Sequence, residues 1–138
     1  MDREVVEQKL ESLRRAIRRI EWKCPQNAAD LASDIDLQDI LSLNLSRAVQ
    51  LTVDIGAHLV SSMELPAPDT MGQTFDLLRE AGIVPAELAS NLRKAVGFRN
   101  IAVHNYEKID WNIVHSIAKK RIDDFREFAR LVTLRLED

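Results

Sequence analysis

Leu37-Gln-Asp-Ile-Leu-Ser-Leu-Asn-Leu-Ser-Arg-Ala-Val-Gln-Leu-Thr-Val-Asp-Ile-Gly-Ala-His-Leu-Val-Ser-Ser-Met63 is the stretch that decides the fold. Leu37, Leu41, Ala48, Leu51, Ile55 and Leu59 recur at helical spacing along one stripe. Ile40, Leu43, Val49, Val53 and Val60 widen that stripe. A helix apolar over so much of its circumference needs neighbours on more than one side, which predicts a central helix in a bundle. Just upstream, Ser33-Asp34-Ile35-Asp36 has the spacing of an N-terminal cap with an acid three residues on. Downstream, Leu65-Pro66-Ala67-Pro68 forms a rigid end, because a residue before proline is pushed out of the helical region.

Working outward, Val6, Leu10, Leu13, Ile17 and Ile20 alternate steps of four and three, predicting a first helix over Asp2 to Glu21. Its opposite face carries Arg14, Arg15, Arg18 and Arg19. That face is either a solvated strip or a ridge of guanidiniums able to follow a phosphate backbone. Cys24-Pro25-Gln26-Asn27 breaks the pattern, and a short helix over Pro25 to Ala32 follows. Thr70-Met71-Gly72-Gln73 reads as a capping box for a helix over Met71 to Ala81, with Phe75 and Leu78 inward. Pro85 suits the first turn of a helix reaching at least Arg99, with Leu88, Leu92 and Val96, then Phe98 or Arg99, facing one way. Asp110 is a good N-cap for a last helix running to Leu136, whose expected core face is Ile113, Ile117, Phe125, Phe128, Val132 and Leu136. The fold class expected is all-α: one domain over residues 1–138, an antiparallel up-and-down bundle of four main helices plus short ones.

Composition narrows the function classes. The chain has 138 residues and a formal net charge of −3, which argues against non-specific coating of nucleic acid; any RNA contact must use a local basic patch. One cysteine, Cys24, rules out an intrachain disulfide and suits a reducing compartment. Met1-Asp2-Arg3-Glu4 leads into charged helical sequence with no leader, and no apolar run is long enough for a membrane, so a cytoplasmic protein is expected. His58, His104 and His115 lie far apart and no Cys-x2-Cys occurs, so no metal site is expected. The glycines are too scattered for a phosphate-cradling loop. His58 reads as a hydrogen-bonded core or interface residue. Arg47 and Asp54, seven residues apart on one side of the long helix, either line a cleft or form an exposed strip.

The segment left over is Arg99-Asn-Ile-Ala-Val-His104-Asn-Tyr106, which gathers a fixed cation, an imidazole and the only tyrosine. Arg and His of this kind suit cleavage of a phosphodiester. A guanidinium matches non-bridging oxygens and the charge that grows at phosphorus. An imidazole can take the proton of a ribose 2′-hydroxyl or give one to the leaving oxygen, with no metal. A structural alternative also fits: an Arg in a local ion pair, a His favoured at a helix C-terminus and a Tyr packed on the bundle. In an ideal helix Arg99 and His104 stand ~140° apart. They meet only if the helix loosens near its end or a second copy completes the site.

These residues resemble the Arg-x4-His-x-Tyr signature of HepT-like proteins in the HEPN superfamily. The resemblance extends to Asp54-Ile-Gly-Ala-His58-Leu, to Phe75-x-Leu-Leu-x-x-Ala-Gly-Ile83, and to the run from Leu92 through Val96-Gly-Phe into the motif. It implies a helical homodimer acting as a toxin, a metal-independent ribonuclease with its cleft at the dimer interface and no cofactor. By position, it makes Arg99 the phosphate-polarising residue, His104 the acid/base and Asn100 a substrate-positioning residue. The implied substrate is RNA, tRNA or mRNA. The implied partner is an MntA-like minimal nucleotidyltransferase antitoxin that attaches AMP to Tyr106. A separate reading keeps the chain non-catalytic, a helical module that presents nucleotide or substrate to a nucleotidyltransferase.

Overall fold

The computed structural model describes residues 2–137; Met1 and Asp138, the ends of the expected single domain over residues 1–138, lie outside them. The elements in chain order are α1 (Arg3–Lys23), α2 (Ala28–Ala32), α3 (Ile35–Ser62), α4 (Met71–Glu80), α5 (Ala86–His104), a 3-10 turn (Tyr106–Lys108), α6 (Trp111–Lys120) and α7 (Ile122–Leu136). All are helical, as expected. Among the described residues no helix is long and apolar enough to cross a membrane.

The helix starts are set by side-chain oxygens that accept orphan backbone N–H groups. Asp2 caps α1 through Val5, Thr70 caps α4 through Gln73, and Asp110 caps α6 through Asn112. The central helix departs from expectation by one step. Asp34, not Ser33, is its N-cap and accepts from the Leu37 N–H at 3.1 Å, while Ser33 ends α2. Asp34 takes the cap because it immediately precedes the first helical residue, Ile35, from where its carboxylate reaches the Leu37 N–H, three residues on.

Packing follows the stripes. Val6, Leu10, Leu13, Ile17 and Ile20 of α1 are all buried against α3, which contributes Leu41, Leu45, Ala48, Ile55 and Leu59 to the core. Lys9 Nζ sits 3.7 Å from Asp54 Oδ2, tying the start of α1 to the later half of α3, so the two run antiparallel. Phe75 of α4 meets Phe128 of α7 edge to face, with ring centroids 6.3 Å apart. Burying each such large apolar side chain stabilises the bundle by about 1.5–3 kcal/mol. Leu43, expected to widen the apolar stripe of α3, is half-exposed instead.

The last expected helix is two helices. Arg121, at φ −112° and ψ 1°, ends α6 and opens α7. The charges complement both ends: Lys119 and Lys120 close α6, while Asp123 and Asp124 open α7. Cations at a helix C-terminus and anions at an N-terminus each favour the dipole by some tenths of a kcal/mol. The break lets α6 pack against α2 and the turn before it, where the His115 ring Nε2 lies 2.8 Å from the Pro25 carbonyl. It also changes the inward face. Val114 and Ala118 are buried, whereas Ile113, expected in the core, is 56% exposed.

Candidate functional site at the end of helix α5

Helix α5 continues through the whole Arg99–His104 segment. Asn105 is its C-cap, leaving the helical region at φ −153° and ψ 57° while its N–H still donates to the Ile101 carbonyl at 2.8 Å. The helix therefore does not loosen between Arg99 and His104. Five helical residues separate the two side chains by ~140° around the axis. Arg99 lies on the half-buried side, near the face that carries Leu92 and Val96 inward; His104 and Asn100 are exposed on the other. The unbroken helix thus attaches Arg99 and His104 on different sides of α5.

Among the described residues Arg99 forms no ion pair. Its only hydrogen bond runs from Nη1 to Asn100 Oδ1, at 3.3 Å. A guanidinium with five donors and one weakly held neutral partner keeps most of its fork available for an oxyanion. The local ion pair of the structural alternative does not form. His104 likewise has no hydrogen-bond partner among the described residues.

Beyond Asn105 the 3-10 turn folds Tyr106 back over α3. The phenol donates to Asp39 Oδ1 at 2.7 Å, and the ring packs edge-on to Trp111 at 5.8 Å. Partial burial, then the Asp39 carboxylate, hold this phenol above its ordinary range, with the Ser42 hydroxyl opposing. Asp39 is the residue that sequence reasoning missed. It lies 67 positions from Tyr106 on the surface of α3, and no local pattern could have paired them.

Beside the motif a cavity of about 510 Å³ opens between α5 and the α6–α7 pair, walled by Phe98, Ile101, Ile113 and Ile117, with Lys94 and Lys108 among its cations. Asp124 also faces it, and burial raises its carboxyl above the usual range against the Asn91 hydrogen bond. Ile101, Val103 and Ile113 leave large apolar surfaces exposed at this end of the chain.

The remaining sequence candidates lie elsewhere. Asp54 is engaged by Lys9 and by Gln50, whose Nε2 donates to it at 2.9 Å. Arg47 lines a groove between α1 and α3 together with Gln50, while Asp54 is not among the residues lining it. His58 is half-buried beside Lys9, Asp54 and Ser61, and makes none of the hydrogen bonds expected of it among the described residues. No group of three His, Cys, Asp or Glu side chains among the described residues could hold a metal ion. Cys24 caps α1, and burial pushes its thiol up.

Comparison with known proteins places this geometry in context. A family model described as "Ribonuclease HepT-like" matches residues 13–132. The mRNA nuclease HepT of Shewanella oneidensis is 30% identical over 129 residues, spanning 94% of this chain and 96% of that protein. The tRNA nuclease HepT of Aphanizomenon flos-aquae is 28% identical over 114 residues, spanning 79% and 78%. Among solved structures, the tri-AMPylated Shewanella oneidensis HEPN toxin in complex with MNT antitoxin superposes with a TM-score of 0.89. Its identity is 30%, with 97% of this chain and 99% of that chain covered.

Proposed function

Because this chain belongs to the HepT-like ribonuclease family, we propose that its Arg99–Tyr106 segment is half of an RNA-cleaving site that a second copy of the chain completes. The chain is a ribonuclease of the HepT type, a toxin of the kind paired with a nucleotidyltransferase antitoxin. The observation that carries the finer reading is the unbroken helix through His104, which holds Arg99 and His104 on different sides of α5. Two copies packed about the exposed apolar residues Ile101, Val103 and Ile113 would bring one copy's Arg99 toward the other's His104.

In such a cleft His104 takes the proton of a ribose 2′-hydroxyl as its oxygen attacks the adjacent phosphorus. The O2′–P bond forms, the P–O5′ bond breaks, and an imidazolium from the other copy protonates the departing 5′-oxygen. Arg99 stabilises the charge on the non-bridging oxygens, and Asn100, hydrogen-bonded to it, positions the substrate. The residues act without a metal ion. Tyr106 is the off-switch: its oxygen attacks the α-phosphorus of ATP on the antitoxin, pyrophosphate leaves, and Asp39 stands 2.7 Å away to take the proton. The adduct lacks the phenolic hydrogen and carries a phosphodiester anion beside the Asp39 carboxylate. It therefore turns off α3 and obstructs the cleft with bulk and negative charge.

Expression of the chain alone tests the assignment. It should arrest bacterial growth, and Arg99→Ala or His104→Ala should each relieve the arrest. Toxicity untouched by both substitutions overturns the roles given to these residues.

A further inference from the structure

The four arginines of α1 do not form one ridge. The neighbouring helices sort them into two pairs with different environments. Arg14 donates from Nη2 to Thr133 Oγ1 of α7 at 3.0 Å, and Arg18 pairs with Glu11 at 3.5 Å. Both face α7, whose Arg126 and Arg130 hold Glu21 of α1 and Glu127 of α7. Arg15 and Arg19 face α3 instead. There, with Arg47, they line a groove of about 650 Å³ that contains no Asp or Glu. None of these three has an ion-pair partner among the described residues.

Three unpaired guanidiniums converging on one groove of a chain with net charge −3 are an unneutralised positive site on an acidic background. Arg15 and Arg19 are one helical turn apart, ~6 Å along the axis, so they can hold successive charges of an extended anion. The groove is also lined by the neutral side chains of Ser12, Asn44 and Gln50, of which Asn44 already donates to the Ile40 carbonyl and Gln50 to Asp54. At its Arg19 end stands Trp22, 74% exposed, with the Arg19 Cζ 5.4 Å and the Lys23 Nζ 4.6 Å from its ring. A bare indole in water is an uncommon use of so apolar a side chain, and its flanking cations cover only part of it. A basic groove that ends on an exposed aromatic ring is the arrangement that binds single-stranded nucleic acid: cations track the phosphates and a base stacks on the ring. The groove also runs along α3 to Ile40, next in sequence to Asp39, which holds Tyr106 of the motif.

We propose that the α1–α3 groove is a second RNA-binding surface, which takes a single strand by its phosphates on Arg15, Arg19 and Arg47 and stacks a base on Trp22. The inference rests on the ribonuclease reading for the choice of RNA as the anion. Its consequence is that the strand is gripped away from the scissile bond, by contacts that carry no sequence information.

The test is fluorescence anisotropy of the full chain with a short labelled 2′-O-methyl single-stranded RNA, which cannot be cleaved, in chelator and over roughly 50 to 200 mM salt. Each phosphate contact contributes about −0.7 to the slope of log affinity against log salt, so the Arg15→Gln/Arg19→Gln/Arg47→Gln variant should flatten that slope by about 2. Trp22→Ala should weaken binding about 5- to 100-fold with its salt slope unchanged. If the triple variant melts early, each single arginine substitution should still flatten the slope by about 0.7. Wild-type slope and affinity in these variants overturn the proposal, as does a wild-type chain that does not bind the strand. Retained RNA affinity with lost co-purification of the antitoxin also overturns it, and gives the groove to an acidic protein partner. Cleavage of unmodified RNA is scored separately: its absence sinks the ribonuclease reading, while anisotropy alone decides the groove.

Discussion

Gly56→Ala probes the contact on which α3 and α4 are docked. A Cβ built on Gly56 would lie 2.7 Å from Thr74 Cγ2 and 3.2 Å from Leu78 Cδ1. The first distance is closer than such atoms tolerate, and neither neighbour can retreat. Thr74 is 1% exposed and β-branched, with a stiff χ1, while Leu78 is fully buried. The two helices must separate slightly, which in a packed core costs about 1–3 kcal/mol. Replacing a helical glycine by alanine returns about 0.8–1 kcal/mol of backbone preference. The balance is a destabilisation of about 1 kcal/mol, or a fall in Tm of about 3 °C for a chain of this size. Urea unfolding followed by circular dichroism would read it as a lower midpoint with an unchanged slope. A double-mutant cycle with Thr74→Ala, which removes the obstructing methyl, isolates the clash. The double variant should be more stable than the sum of the single effects by about 1 kcal/mol. Gly56→Ala at or above wild-type stability, or strictly additive effects, would refute the packing argument.

Two further predictions test single atoms. Thr74 Oγ1 is a buried hydroxyl with no hydrogen-bond partner among the described residues, so Thr74→Val should raise stability by about 1 kcal/mol in thermal melts; a loss would mean the hydroxyl is paired. Tyr106 is the only tyrosine, so its ultraviolet titration is unambiguous; it should ionise above the ordinary range near ~10, and Asp39→Asn should lower its midpoint. Because the folded-state value is the higher one, the proton favours the folded chain. This contribution to stability is complete below ~pH 10 and is lost as pH rises through the folded value. A Tyr106 midpoint unmoved by Asp39→Asn would show that the hydrogen bond does not persist in solution.

Much of the bundle was legible because helical burial leaves a periodic trace. The Val6-to-Ile20 stripe is buried throughout, and Thr70 and Asp110 cap where their spacing places them. The break at Arg121 was missed because Val114, Ala118, Ile122, Phe125 and Ala129 keep helical spacing across it, with no Gly or Pro to mark the bend. The signal available was electrostatic: two lysines followed by two aspartates, a helix end abutting a helix start. The octet was visible as chemistry, but the 67-residue reach from Tyr106 to Asp39 was not. Nor was the sorting of Arg14 and Arg18 from Arg15 and Arg19, which depends on which helix each pair faces. Long-range partners are chosen by tertiary packing, and a linear pattern records only the face a residue occupies.

The most direct test of the central claim is cleavage of unmodified RNA by the purified chain in excess chelator. The wild-type chain should cleave, and Arg99→Ala and His104→Ala should each slow cleavage at least ~100-fold, the scale of a lost acid–base group or oxyanion donor. Cleavage that needs a divalent ion, or that proceeds at the wild-type rate in both variants, would contradict the account.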